Sequence, residues 1–162
     1  MLEESEARKL AEAAIPLVIS GAARELRTGW FFPYNEIGSQ GAIVHKESGR
    51  VHQLGSAFSV ERDLALYDRG WQSDRYDLAI HAIHDLRATR RAVGRLPLHR
   101  IEPTSRPMTD LERWTRLDQL PCVFPAVRLY FHFEVLEEAR AQRWFDFEAV
   151  EVRSAPSALS PR

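Results

Sequence analysis

The segment from Gly29 to Trp71 decides the fold, and it runs GWFFPYNEIGSQGAIVHKESGRVHQLGSAFSVERDLALYDRGW. Within it, two short runs that contain apolar residues, Ala42–Lys46 and Arg50–Leu54, are separated by a polar tripeptide that ends in Gly49. Glycine can adopt the positive φ that tight hairpin turns require. The two runs therefore predict a β-hairpin in which Ser48 and Gly49 form a two-residue turn.

This two-residue turn would fix the register of the hairpin. Glu47 would pair with Arg50 as a cross-strand ion pair, and His45 would lie opposite His52. Two imidazoles alone are not a metal site, and no third ligand can be placed beside them. We therefore interpret the histidines as a partly exposed cross-strand pair and expect no metal.

An aromatic strand is predicted before the hairpin and a helix after it. The strand is indicated by four rings, at Trp30, Phe31, Phe32 and Tyr34, and Pro33 indicates an edge position or a bulge. Ser59 can cap the helix and Gly70 can end it. The helix would carry one apolar stripe, formed by Val60, Leu64 and Tyr67.

These residues resemble the YrhB-like, or immunity-protein-35, family of small bacterial proteins. The resemblance rests on the aromatic strand ending in Tyr34-Asn35, on Gly-x-Ile-Val at 41–44, on the run from Ser48 to Gly55 and on the following helix. A helix at 3–15 also fits, whereas no equally clear match is seen from about Tyr76 onward. The resemblance implies a cytoplasmic protein, encoded beside a toxin of a contact-dependent or polymorphic toxin system. It would bind that cognate toxin 1:1 and occlude its active site or substrate groove.

Composition places the chain among ordinary globular proteins. It has 162 residues, of which 44% are hydrophobic and 28% charged, and its net charge is −1. We predict one α+β domain over 1–153, with a mainly antiparallel sheet packed by helices. Residues 1–71 form its immunity-like part, 76–153 extend it, and 154–162 form a flexible tail. No basic-then-apolar signal segment and no run of about 20 apolar residues is visible, so we expect a cytoplasmic location without a membrane span.

The remaining elements follow from caps and periodicity. A first helix is predicted from Glu3, with a buried stripe of Leu2, Leu10, Ala14 and Leu17 and an end or bend at Pro16. Strands are predicted at 76–83, 98–101, 127–133 and 145–152, and helices after Asp85, after Thr109 and at 136–143. Gly21–Thr28, Gln72–Arg75, Glu102–Met108 and the stretch between Pro121 and Pro125 are predicted as loops or turns.

No catalytic motif appears in the chain. The run Gly38-Ser-Gln-Gly41 lacks the lysine of a phosphate-binding loop, and neither a Gly-x-Ser-x-Gly nor a His-Glu-x-x-His motif occurs. His81 and His84 would point to opposite faces of a strand. The single cysteine, Cys122, excludes an intramolecular disulfide and fits a small buried residue better than a nucleophile. We expect neither enzymatic activity nor a cofactor.

Two sets of residues are candidates for binding a partner. One is an arginine stripe on the helix after Asp85, formed by Arg87, Arg90, Arg91 and Arg95. It is either a solvated helix face or a patch that attracts an acidic protein surface or a nucleic-acid backbone, and the near-neutral net charge disfavours nucleic acid. The other set is whatever part of Trp30, Tyr34 and Trp71 faces outward.

Two other functions are compatible with these patterns. The sheet of a small ligand-binding protein or enzyme could form an apolar pocket with convergent polar groups. A regulatory nucleic-acid-binding module could instead use the arginine stripe, with strongly salt-dependent binding.

Overall fold

The computed structural model describes residues 1–15, 19–73, 75–100 and 105–152, apart from the side chains at positions 35 and 36. The chain divides into two compact units, Met1–Gln72 (unit 1) and Ser73–Arg162 (unit 2). Over the described residues both units combine helices with antiparallel strands, which confirms the α+β class. The predicted tail at 154–162 and the predicted roles of Pro16 and Leu17 lie outside the described residues.

Unit 1 is a four-stranded antiparallel sheet with a helix on each face. Its elements are α1 (Glu4–Ala14), β1 (Arg24–Glu25), β2 (Gly29–Glu36), β3 (Ser39–His45), β4 (Val51–Gly55) and α2 (Val60–Asp68), and the strand order is β1-β2-β3-β4. The aromatic strand, the hairpin and the following helix are thus confirmed. The Ser59 side chain accepts a hydrogen bond from the Arg62 N–H, as a helix N-cap does. The short strand β1 lies within the segment that was predicted as a linker.

Alternate residues of the sheet face the two helices. Phe31 and Ile43 pack with Leu64 and Tyr67 of α2 on one face. On the other face, the small residues of α1 pack against the neighbouring strand positions, in the cluster Ala7, Ala11, Phe32 and Val44. The predicted α1 stripe is wrong at Leu10, which is 38% exposed, and at the exposed Ala14. The buried face of α1 is formed by alanines, which let the helix approach the sheet closely. The spacing of the leucines does not predict that face.

The register of the β3–β4 hairpin differs from the prediction by two residues. Val44 pairs with Val51 and Ile43 with His52, so the loop spans the four residues 46–49. The N–H of His45 donates to the Arg50 carbonyl, and the Gly49 N–H donates to the His45 carbonyl. Gly49 has the expected positive φ, +68°, but it is the last residue of a longer loop. His45 and His52 therefore do not lie opposite each other.

The β2–β3 hairpin requires glycine at one position of close approach. Gly41 has φ +153° and pairs with Pro33, where the bulge lies that was one of the two predicted roles of this proline. A Cβ there would lie 2.4 Å from the Phe31 ring and 2.6 Å from the Phe32 carbonyl oxygen. Only a residue without a side chain fits this contact.

Unit 2 is a three-stranded antiparallel sheet with helices and a short two-stranded ribbon. Its elements are β5 (Arg75–Ile83), α3 (Leu86–Arg95), β6 (His99–Arg100), β7 (Arg106–Pro107), α4 (Asp110–Leu117), β8 (Cys122–Arg128), α5 (Phe133–Ala141) and β9 (Phe145–Glu151). The sheet order is β8-β5-β9, and β6 pairs with β7. The helix caps at Asp85 and Thr109 and the last strand are confirmed.

The sequence prediction is wrong around β8. The stretch between Pro121 and Pro125 is mostly strand, and the predicted strand at 127–133 ends at Arg128. Proline is tolerated because β8 lies at the edge of the sheet and is bulged beside Pro125. Phe133, predicted as the last strand residue, begins α5 three residues before the predicted helix start.

Candidate functional site

Helix α3 is held at its first turn by a convergent set of hydrogen bonds. The Asp85 side chain accepts from the Ala88 N–H at 2.8 Å. The Trp144 carbonyl oxygen accepts from the backbone N–H groups of His84 (2.9 Å) and Asp85 (3.0 Å). The buried Thr89 hydroxyl lies 2.6 Å from the Asp85 carbonyl oxygen and 3.1 Å from that of Trp144. The face of α3 that carries Thr89 is therefore fixed, at its first turn, to the residue that precedes β9.

The opposite face of α3 carries the predicted arginines, and all four are exposed. We call Arg87, Arg90, Arg91 and Arg95 the arginine face. The buried face consists of the small or β-branched residues Ala88, Thr89, Ala92 and Val93. Leu86, at the start of the helix, is 50% exposed, whereas Thr89 is buried.

The charge of the arginine face is not compensated by nearby carboxylates in the described part of unit 2. Among the described residues of unit 2, no carboxylate lies within 4 Å of any of its four guanidinium groups. Arg90 instead lies over the Trp114 ring, with its Cζ 5.5 Å from the ring centroid. Arg87 and Arg91, and Arg91 and Arg95, are four positions apart, a spacing at which like charges destabilise a helix by a few tenths of a kcal/mol.

Two neighbouring elements border the arginine face. From α4, Arg113 Nη1 donates to the Gly94 carbonyl oxygen at 2.8 Å and so caps the end of α3. Beside α5, burial lowers the pKa of His132, and the nearby positive charge of Arg95 lowers it further, against the opposing effect of Glu134. The His132 Nδ1 atom is buried and has no hydrogen-bond partner among the described residues. The side chain that borders Arg95 is thus the His132 imidazole, which is neutral near pH 7.

The three candidate aromatic residues belong to unit 1 and contribute mainly to its packing. Tyr34 is 3% exposed and Trp71 is 8% exposed. Trp30 is partly buried, donates its indole N–H to the Leu2 carbonyl oxygen at 3.1 Å and lies under the Lys46 ammonium. Tyr34 and Trp71 therefore offer a partner little side-chain surface.

The histidines and the cysteine show no catalytic or metal-binding arrangement over the described part of the chain. His84 Nε2 lies 2.9 Å from an Asp146 carboxylate oxygen, and His81 lies 3.9 Å from Glu148. No three His, Cys, Asp or Glu side chains group there as metal ligands would. Burial raises the pKa of the Cys122 thiol, an effect that the charge of Arg116 opposes. A thiol that resists ionisation is a poor nucleophile.

Unit 2 also contains a cleft that the sequence did not predict. It is a cleft of about 440 Å³ whose lining includes Arg75 and Arg128. These arginines are far apart in the chain and become neighbours only through the pairing of β5 with β8. No local sequence pattern could have brought them together.

Comparison of the chain with protein-family profiles, curated proteins and solved structures finds no match. The immunity-protein-35 resemblance therefore stays a prediction. Among the described helices, none has the length and apolar character that crossing a bilayer requires.

Proposed function

We propose that the chain is a non-enzymatic immunity protein that binds one cognate toxin 1:1 and neutralises it by occlusion. The family resemblance of unit 1 motivates the class of partner. The arginine face of unit 2 supports the chemistry of the contact, which is attraction of an acidic surface.

The observation that carries the proposal is the exposed, uncompensated charge of the arginine face. Four guanidinium groups on one helix repel one another, and no carboxylate within 4 Å in the described part of unit 2 relieves that repulsion. A partner rich in Asp and Glu would relieve it and would gain bidentate hydrogen bonds, because the arginine fork matches a carboxylate. Arginine is also one of the residue types enriched among interface hot spots.

The anchoring of α3 supports a role in rigid docking. Its first turn is fixed by Asp85, Thr89 and the Trp144 carbonyl, so the positions of the four arginine Cα atoms are set before any partner arrives. Preorganised groups lose less conformational freedom on binding. A rigid cationic face both accelerates association and covers the surface that it contacts.

The test uses the C-terminal domain of the protein encoded by the neighbouring gene. That domain is expressed in a bacterial host with and without this chain, and growth and co-elution on a sizing column are measured. We expect toxicity of the domain alone, rescue by the chain and a 1:1 complex. A domain that is harmless alone, or rescue without a complex, contradicts occlusion.

The contribution of the arginine face is tested by charge reversal. The double variant Arg87→Glu/Arg91→Glu should slow association by about tenfold or more at low salt and flatten its salt dependence. The matched control is Arg24→Glu/Arg143→Glu, which reverses two exposed arginines outside α3. Equal rates for the double variant and the control would exclude the arginine face as the contact surface. Salt-dependent binding of nucleic acid instead of the toxin would favour the regulatory module.

A further inference from the structure

The cleft in unit 2 is formed where β5, β8 and the segment around β6 meet. Among the described residues, its lining consists of Arg75, Pro97, His99, Ser105, Pro125, Ala126 and Arg128. None of these residues belongs to the arginine face. A volume of about 440 Å³ is within the range of about 300–1,000 Å³ that is usual for small-molecule sites.

A bulge in β8 shapes one wall of the cleft. Arg75 pairs with Arg128 and Tyr76 with Val127, but Leu78 pairs with Phe124, so Pro125 and Ala126 together oppose the single residue Asp77. Ala126 has a positive φ of 50°, and its N–H donates to the Asp77 carboxylate at 2.8 Å. Bulges of this kind redirect side chains and are enriched next to functional sites. Here the bulge places Pro125 and Ala126 in the wall.

The pairing of Arg75 with Arg128 places two like charges directly opposite each other. Residues opposite each other on antiparallel strands project to the same face, and both side chains line the cleft. Within the described part of unit 2, neither guanidinium has a carboxylate within 4 Å. Like charges in this arrangement destabilise a sheet, whereas an anion between them would stabilise it. The cleft therefore has the electrostatics of an anion site.

We propose that this cleft binds a small molecule that bears a phosphate monoester. Two guanidinium groups match the charge of about −2 that such a group carries near neutral pH, and each fork can bind two of its oxygens. The Ser105 hydroxyl and the His99 ring add further polar groups at the cleft wall. Pro97, Pro125 and Ala126 offer an apolar surface for the organic part of the ligand.

The proposal is tested by titration calorimetry on the full chain at constant ionic strength. The probes are phenyl phosphate, inorganic phosphate and benzoate, so that the charged group and the ring are varied separately. We expect phenyl phosphate to bind more tightly than either of the others. No binding of phenyl phosphate up to about 10 mM, or equally tight binding of benzoate, overturns the proposal.

Variants locate the site within the chain. Arg128→Gln should weaken phenyl phosphate binding at least tenfold, whereas Arg143→Gln, which removes an exposed arginine outside the cleft and outside the arginine face, should leave it unchanged. Equal weakening by both variants would mean unspecific attraction and would overturn the site. If Arg128→Gln does not fold, Arg128→Lys keeps the charge but loses the fork, and undiminished affinity in that variant would equally overturn it.

Discussion

Lys46 is the most informative single position for the stability of unit 1. It is 8% exposed, and its Nζ donates to the Leu26 carbonyl oxygen at 2.7 Å and to Glu25 at 2.8 Å. Its Nζ also lies 5.2 Å from the centroid of the Trp30 ring. The chain has only one other lysine, Lys9, which is exposed on α1. The two lysines form a matched pair for substitution.

Lys46→Met removes the ammonium and keeps most of the aliphatic stem. A hydrogen bond from a charged donor contributes about 1.5–3 kcal/mol, and a cation–π contact about 0.5–1 kcal/mol. The Glu25 side chain is 64% exposed, so that carboxylate regains water when the lysine is removed and its pairing adds little. The dominant loss is the donor to the buried Leu26 carbonyl. We expect Lys46→Met to lower the free energy of unfolding by about 2–3 kcal/mol.

The assay is urea unfolding of the wild type, Lys46→Met, Lys9→Met and Glu25→Gln under the same conditions. Lys9→Met should lie within about 0.5 kcal/mol of the wild type, and Glu25→Gln should cost about 1 kcal/mol or less. A value for Lys46→Met within about 0.5 kcal/mol of that for Lys9→Met would refute the importance of the buried donor. A loss in Glu25→Gln as large as that in Lys46→Met would show that the ion pair dominates instead.

Three further predictions concern backbone geometry and pH. Gly41→Ala should lower the free energy of unfolding in urea by about 2–4 kcal/mol, because its Cβ would overlap a carbonyl of β2. Gly70→Ala, at φ +102° with nothing within 4 Å, should lower it by only about 1–2 kcal/mol. Equal losses would contradict the close approach at Gly41. Hydrogen bonds from Arg106 hold the pKa of Glu112 well below its ordinary value of 4.5, so this carboxylate stabilises the fold above pH 4.5 and loses that effect as the pH falls further. Thermal melts from pH 6 to 3 should therefore show a smaller acid loss for Glu112→Gln than for the wild type, and parallel curves would contradict the pairing. Burial lowers the pKa of His132 below 6.5, so the unfolded chain takes up the proton first and stability falls as the pH drops below 6.5. His132→Gln should lessen that fall in thermal melts from pH 8 to 5. A pH profile identical to that of the wild type would contradict this prediction.

Features that depend on neighbouring residues were predictable from the sequence. The caps at Ser59, Asp85 and Thr109 work through hydrogen bonds that span three residues, and all three are present. The arginine face was likewise predictable from helical periodicity alone, because four charges at spacings of three and four positions must share one side of a helix.

Features that depend on strand pairing were not predictable. Gly49 can end a four-residue loop as readily as it can form part of a two-residue turn. The longer loop moves the partner of His52 by two positions along β3, from His45 to Ile43. Around β8, Pro121 and Pro125 led to the prediction of a loop. That prediction was wrong because proline is tolerated in an edge strand, and the sequence does not reveal that β8 lies at an edge. The proposed anion cleft likewise depends on strand pairing, since Arg128 pairs with Arg75 next to the bulge at Ala126.

The distribution of lysine determines which parts of the chain amine-reactive reagents can label. Both lysines belong to unit 1, and every basic residue of unit 2 other than histidine is an arginine. Lys46 is buried, so a fluorophore ester or an amine-coupling sensor surface would react mainly at Lys9 and at the exposed N-terminal residue. Kinetic experiments with a chain attached in this way would leave the guanidinium groups of the arginine face and of the cleft chemically unmodified.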